Sequence, residues 1–352
     1  MSYDDGWAAM NLEVPARVPH LEPSAAGYHH ELVKAVTGID VGPDSPADVR
    51  WRATQAFVKA WNYDVMFSAC VSANVLEKKR TRMGHAEYAT DGRDFDDVSC
   101  PFDSPEEALA FDPWETYGPA DHDEWVANFN RQYRHNCEAF PECVNMTGIY
   151  STLLSGMIFI FGWDMLLLMA GLDPDGFGEV CNRYASWMQQ YYDAMAECES
   201  PVFYCHDDMV WTEGAFIHPD WYRKYVFPNV EKLWAPAVEA GKKILFICDG
   251  NYTQFADDIA ACGCAGFWFE VFTDLETMVE KFGRTHVLIG NGDCRPLTFG
   301  TKADVRAEVE RCMALGKKCP GYIMSMSGHI PPNIPVENAL HYYDVYCELS
   351  RR

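Results

Sequence analysis

An imidazole and two acids stand together at His206-Asp207-Asp208, directly after Cys205 and the apolar run Val202-Phe203-Tyr204. A carboxylate beside an imidazole tunes its proton affinity, so the pair suits general acid–base work or metal ligation. Neighbouring residues on a strand point to opposite faces, so at most one of Asp207 and Asp208 can line a pocket directly. A strand-end Asp can equally cap the helix that follows. Cys248-Asp249-Gly250-Asn251 closes the run Ile244-Leu245-Phe246-Ile247 in the same manner. An unpaired carboxylate straight after a buried run is costly unless it binds a metal, a base or a ligand. Gly250 lets the backbone turn sharply or come close to a ligand. By alternation Cys248 and Asp249 do not both face inward, and Asp249 is the expected inward residue.

Glu270 is the lone acid at the end of the aromatic run Gly266-Phe267-Trp268-Phe269. It reads as a ligand, as an acid of raised pKa, or as the partner of Arg284 or Arg295. Asn291-Gly292-Asp293-Cys294 follows Val287-Leu288-Ile289-Gly290, where turn formation explains Asn and Asp as well as function does. Ser325-Met326-Ser327-Gly328-His329 follows Tyr322-Ile323-Met324, with His329 its only strong ligand or base. Asp249, Glu270 and His329 could converge on one cation, and such an oxygen–nitrogen set suits zinc with an open position. His206 with Cys248 and Cys294 is the sulfur-rich alternative. The remaining expectations are Asp208, His206 and Asn291 as catalytic residues, and Asp207, Asn251, Trp268 and Asp293 against substrate.

These clusters recur at one place in a unit repeated between Pro201 and Ile330: an apolar run, polar residues, then a helix-sized segment. Runs of this length separated by helices predict a parallel sheet buried on both faces. Polar residues at successive strand C-termini are where a (β/α)8 barrel builds its active site. The expected fold is therefore α/β, a (β/α)8 TIM barrel with an N-terminal arm and a loop or hairpin excursion over the C-terminal face. Val65 to Cys70 and Met146 to Tyr150 look like first-half strands. Ser45-Pro46-Ala47-Asp48 and Ser104-Pro105-Glu106-Glu107 each set a cap, a proline in the first turn and an acid behind it. Thr273-Asp274-Leu275-Glu276 reads as a capping box with Gly283 as its stop, Thr301 to Gly316 repeats the plan, and His218-Pro219 opens a longer helix to Gly241. Residues 78 to 103, rich in Gly, Asp, Arg and Tyr, supply the excursion. Residues 1–44 read as an arm packed on the barrel, with a short helix around Tyr28 to Val36, and residues 45–352 as the barrel.

The net charge is −24, from 52 acids against 28 bases, so nucleic acid and anionic membranes are poor partners. A neutral small molecule or a basic protein domain fits better, although the acidity also serves solubility. Aromatic residues make up 14% of the chain, which suits both core packing and a pocket for a flat ligand. The 14 cysteines include no Cys-x-x-Cys pair, and the start Met1-Ser2-Tyr3-Asp4-Asp5 is acidic rather than secretory. Reduced, buried cysteines in a cytoplasmic protein are the expectation. Met157 to Leu172 is interrupted by Gly162, Trp163 and Asp164, and reads as a buried helix.

From Asp208 through Pro335 the chain resembles the uroporphyrinogen decarboxylase-like superfamily, whose barrels include corrinoid-dependent methyltransferases. The resemblance is carried by Asp207-Asp208, His218-Pro219, Asp249-Gly250, Phe282-Gly283 before Asn291-Gly292-Asp293, and Leu297 through Gly300-Thr301 to Val305. Gly321-Tyr322-Ile323 and Ile330-Pro331 through Pro335-Val336-Glu337-Asn338 complete it, and Arg17-Val18-Pro19 is similar to the methyltransferase branch. Authentic decarboxylases of the family carry an Arg-rich N-terminal segment for the tetrapyrrole carboxylates, which Ala16-Arg17-Val18-Pro19 does not resemble. Thiol-alkylating members hold zinc with His-x-Cys and a later Cys, where this chain has Ile247, Asp249 and the neighbourhood of Gly328-His329.

The resemblance implies a zinc-dependent methyltransferase of a corrinoid-dependent O-demethylation system, acting on a methylated compound such as an aromatic methyl ether. Asp208 or His206 would protonate the leaving oxygen. The chain has no Asp-x-His-x-x-Gly pattern, so the corrinoid would be carried by a separate protein. A homodimer is compatible with this reading. The alternative is a metal-independent decarboxylase or lyase using Asp208 and His329 as acid and base. A third class is a non-catalytic binding partner of a corrinoid protein.

Overall fold

A computed structural model describes residues 1–23, 25–76, 79–82, 87–88, 94–95 and 99–352, with 87–88 and 94–95 as backbone. Seven strands lie in sequential order and are parallel throughout: β1 Val65–Val71, β2 Val144–Ile149, β3 Val202–His206, β4 Lys243–Cys248, β5 Gly266–Phe269, β6 Val287–Gly290 and β7 Tyr322–Ile323. β3 to β7 are the five apolar runs of the second half. β2, β3, β5 and β6 are buried at every position, because helices cover the outside and side chains fill the inside. Register sets the inner layers: His206 pairs with Ile247, and Ile247 pairs with Trp268.

The eighth position of the barrel wall is filled by the N-terminal segment. His20 forms a parallel bridge with Met324, the Met324 amide donates to the Pro19 carbonyl at 2.8 Å, and the Leu21 amide donates to Met324 at 3.2 Å. On the other side the Asp64 amide donates to the His20 carbonyl at 2.9 Å. Residues expected to lie on the barrel as an arm thus stand within its wall, because β1 and β7 would otherwise each present an unpaired edge. Arg17 sits at the opposite end from the strand C-termini, paired with Asp64 at 2.5 Å just before β1. Beyond the wall segment, helices span Ala25–Tyr28 and His30–Thr37.

A buried polar knot locks this seam. Glu22 accepts hydrogen bonds on its carboxylate from the Met326 amide at 3.1 Å and from the Tyr342 hydroxyl, and it lies 3.1 Å from His20 Nε2. The Tyr63 hydroxyl donates to the Glu22 carbonyl at 2.8 Å, and His20 Nδ1 is 3.0 Å from the Trp61 carbonyl.

As the sequence predicts, Ser104 caps Pro105–Leu109, and Thr301 opens Lys302–Gly316 through a capping box with Asp304. Two caps differ. Ser45 accepts the Gly42 amide instead of capping Ala47–Ala60, and Asp274 rather than Thr273 caps Leu275–Phe282. Thr273 is otherwise engaged, donating to the Gly250 carbonyl at 2.9 Å and accepting the Tyr252 amide at 3.1 Å. Helix Leu154–Leu172 is long and apolar enough to cross a bilayer, yet 72% of its most apolar window is buried in the fold, and it kinks at Gly162. Within the expected excursion, Glu87–Tyr88 and Asp94–Phe95 pair as an antiparallel hairpin, while residues 77–78, 83–86, 89–93 and 96–98 lie outside the described set. All 14 cysteines are free.

Removing the seam carboxylate leaves buried donors without an acceptor. Glu22→Ala should therefore lower the unfolding free energy by about 3–5 kcal/mol. Glu22→Gln, which keeps an acceptor oxygen, should lose less. Urea unfolding measures both, as a lowered midpoint at unchanged slope.

Candidate active site

The strand C-termini surround a cavity lined by Pro23, Phe67, Tyr150, Tyr204, His206, Ile247, Cys248, Asp249, Trp268, Phe269, Glu270, Gly328 and His329. Its wall is aromatic: Phe67 meets Tyr204 edge-on at 5.2 Å and Trp268 edge-on at 5.0 Å. Such T-shaped contacts fix ring orientation and leave flat faces for a flat ligand. A more open depression adjoins it, lined by Trp163, Asp208, Val210, Trp211, Thr212, Glu213, Asp249, Gly250 and Glu270. Asp249 and Glu270 belong to both, so they mark the passage between cavity and outside. None of the described residues lining either space is Lys or Arg.

At that passage His206, Asp208 and Asp249 bring their ligand atoms within 4.8 Å of one another. His206 Nε2 is 3.3 Å from Asp208 Oδ1, and the same carboxylate oxygen accepts the Asp249 amide at 3.2 Å. Glu270 Oε2 accepts the Gly250 amide at 3.1 Å. Gly250 has φ +83°, and a Cβ there would stand 2.7 Å from the Trp211 backbone, so the turn beneath the acids needs glycine. Gly328 also has φ +63°, and a Cβ there would meet Glu270 Oε1 at 2.8 Å.

Electrostatics follow from acids gathered around one imidazole, with no Lys or Arg among the described lining residues. Burial pushes Glu270 up to about 8, and the Asp249 charge adds to the rise. Burial raises Asp249 as well, with the Asp208 charge next in importance, although Asp249 is open enough to the cavity for solvent to screen part of this. Asp208 is raised by burial, against which the Asp249 amide works. Burial lowers His206 to about 4, so its imidazole is neutral at neutral pH and offers a lone pair. Tyr150 stacks on that ring at 4.0 Å and 6°, and its hydroxyl stays protonated because burial drives its pKa well up. Carboxylates in this arrangement must share protons or share a cation.

The cavity gathers His206, Asp249, Glu270, Trp268 and His329, with Asp208 at the adjoining rim. Cys248 lines it together with Asp249, contrary to the alternation argument: β4 ends at Cys248, so Asp249 already follows the turn. The Cys248 thiol donates to the Asp249 carbonyl. Asp207, expected against substrate, lines neither space. It faces the helix layer, where burial raises it to about 7 and Oδ1 accepts the Ser155 amide at 2.7 Å. Asn291 is not placed for catalysis either, since its amide donates to the Thr273 carbonyl at 2.9 Å and its oxygen accepts from Arg311. Asn251 accepts the Thr253 amide in a local turn. Asp293 caps helix Cys294–Phe299 and pairs with Arg295 at 2.7 Å, and the Cys294 thiol donates to the His329 carbonyl at 2.9 Å. Neither Arg284 nor Arg295 pairs with Glu270 among the described contacts; Arg295 is taken by Asp293.

Sequence reasoning missed Phe67, Tyr150, Tyr204, Pro23, Trp163 and Trp211. Tyr204 was detectable, because it lies two residues before His206 and so shares its face of β3. Tyr150 directly follows β2, the same position that marked Glu270 after β5.

A family model described as uroporphyrinogen decarboxylase (URO-D) matches residues 138–348. The uroporphyrinogen decarboxylase of Geobacter sulfurreducens is 23% identical over 190 residues, 54% of this chain and 54% of that protein. That of Carboxydothermus hydrogenoformans is 25% identical over 177 residues, 50% of this chain and 49% of that protein. The chain thus spans about half the length of the curated relatives it matches. Among solved structures, a methyltransferase from Methanosarcina mazei shares the fold with a TM-score of 0.65 at 15% identity, over 97% of this chain and 96% of that one.

The raised carboxylates fix the sign of a pH effect. The lowered His206 is common to both proteins and drops out of the comparison, while Glu270 keeps its proton up to about pH 8 when folded and loses it when unfolded. The metal-free protein should therefore lose stability between pH 6.5 and 8 relative to Glu270→Gln, whose amide does not titrate. Melting temperatures of both proteins across that range measure the difference, and parallel curves would count against the shift.

Proposed function

The chain belongs to the uroporphyrinogen decarboxylase family, and from that premise we propose that it is the methyltransferase of a corrinoid-dependent O-demethylation system. It moves a methyl group from a methylated substrate, an aromatic methyl ether, to a corrinoid carried by a separate protein. One observation carries this reading: an aromatic cavity opens directly onto a group of carboxylates and an imidazole, with no Lys or Arg among the described residues that line it. A tetrapyrrole bearing many carboxylates would meet repulsion there, reinforced by the −24 net charge. A neutral aromatic ether meets none.

The donor set fits a divalent cation on its own chemistry, since a neutral imidazole and uncompensated carboxylates are oxygen and nitrogen ligands that lack a partner charge. His206, Asp208 and Asp249 would hold zinc, with Glu270 and His329 in the same cavity as further donors. When bound, zinc supplies Lewis-acid polarisation of the ether oxygen. The chain's own residues do the rest. Phe67 and Trp268, set edge to face, form the apolar wall against which the flat ring packs. Glu270, which keeps its proton up to about pH 8, and the Tyr150 hydroxyl stacked beside His206 are the proton donors within the cavity for the leaving oxygen. The open depression at Trp163 and Trp211 is the side from which a partner protein can approach.

The test is to mix the protein with its reduced corrinoid partner and a panel of methoxylated aromatics while recording the cobalt absorption spectrum. The expected result is a substrate-dependent spectral change, abolished by chelation, restored by zinc, and reduced about 100-fold or more in Asp249→Ala. A flat spectrum with a partner shown to be competent overturns the proposal. Turnover of substrate that survives chelation instead favours a metal-independent lyase.

A further inference from the structure

We propose that Ser155 and Asp207 are positioning residues that orient His206 and Asp208 for a cation, an inference that rests on reading the cavity as a cation site. Ser155 is the second residue of helix Leu154–Leu172, whose preceding residue Leu153 provides no side-chain cap. Its exposed first-turn amide is taken by Asp207 Oδ1 at 2.7 Å. Its hydroxyl then serves the neighbouring strand end twice: Oγ accepts the Asp208 amide at 2.8 Å and lies 3.5 Å from His206 Nδ1.

A hydroxyl has two acceptor lone pairs and one donor hydrogen. The Asp208 amide uses one lone pair, and the other faces the imidazole. With Nδ1–H donating to Oγ, the lone pair of the ring lies on Nε2, which points at Asp208 Oδ1 and the other carboxylates. That is the tautomer a cation requires, and orientation of this kind through the second ring nitrogen is how ligating histidines are generally held. Tyr150 stacks on the ring at 4.0 Å and its backbone carbonyl also accepts from the imidazole, so the Ser155 contact acts together with that bond in fixing the ring. Asp207 is buried at 2% exposure, and its Oδ2 has no hydrogen-bond partner among the described residues. The Thr152 hydroxyl and the Leu153 amide also favour its charged form, so Asp207 ties the first turn of this helix, Ser155 included, to the end of β3.

The two roles separate when cobalt(II) is titrated into metal-free protein, with affinity and the visible absorption of the bound ion as readouts. Ser155→Ala should bind cobalt roughly 10- to 100-fold more weakly than wild type and with an altered spectrum. Asp207→Ala, which removes the acceptor of the Ser155 amide, should weaken binding in the same direction, and Asp207→Asn, which keeps that acceptor, should restore most of it. This pair decides the matter if Ser155→Ala does not fold. Alanine variants that melt earlier yet bind cobalt with wild-type affinity and spectrum overturn the proposal, since a purely structural role predicts that result. Wild-type protein that binds no cobalt overturns the underlying cation-site reading and this inference with it.

Discussion

Carboxylates crowded at one end of the barrel, with no Lys or Arg among the described residues lining the space, are the constraint to which the site answers. Asp208, Asp249 and Glu270 repel one another, and the structure relieves them with backbone amides rather than with cationic side chains. The Asp249 amide serves Asp208 and the Gly250 amide serves Glu270, both from the single turn after β4. Amides stabilise charge without neutralising it, so the acids keep their capacity for a proton or a metal ion. An Arg in their place would have made a satisfied ion pair and closed the site to both.

That economy demands a rigid turn. Gly250 allows its backbone to pass against Trp211, and Thr273 ties the same turn to the loop after β5 by one bond given and one received. The loop after β7 is held from a different direction. Glu22 in the N-terminal wall segment takes the Met326 amide, and Ser327 Oγ takes the Val271 amide at 2.7 Å. Gly328 and His329 follow immediately, so the closure of the barrel and the placement of His329 depend on one buried knot.

Apolar run length and the spacing of helix signals were enough to specify the parallel barrel, since burial on both faces leaves a local imprint in β3 to β7. Position at a strand end likewise exposed His206, Asp208, Asp249, Glu270 and His329, because an acid or imidazole after a buried run needs a partner. Local sequence could not say which way a residue turns once a strand has ended. Asp249 and Cys248 therefore share the cavity, while Asn291, Asp293 and Cys294, equally marked in sequence, turn to backbone and helix ends. Nor could it reveal Ser155 and Tyr150 beside His206, about 50 residues away in the chain, or the wall segment at His20 pairing with Met324. Those contacts exist only because the sheet closes on itself, and closure is a property of the whole chain rather than of any stretch of it.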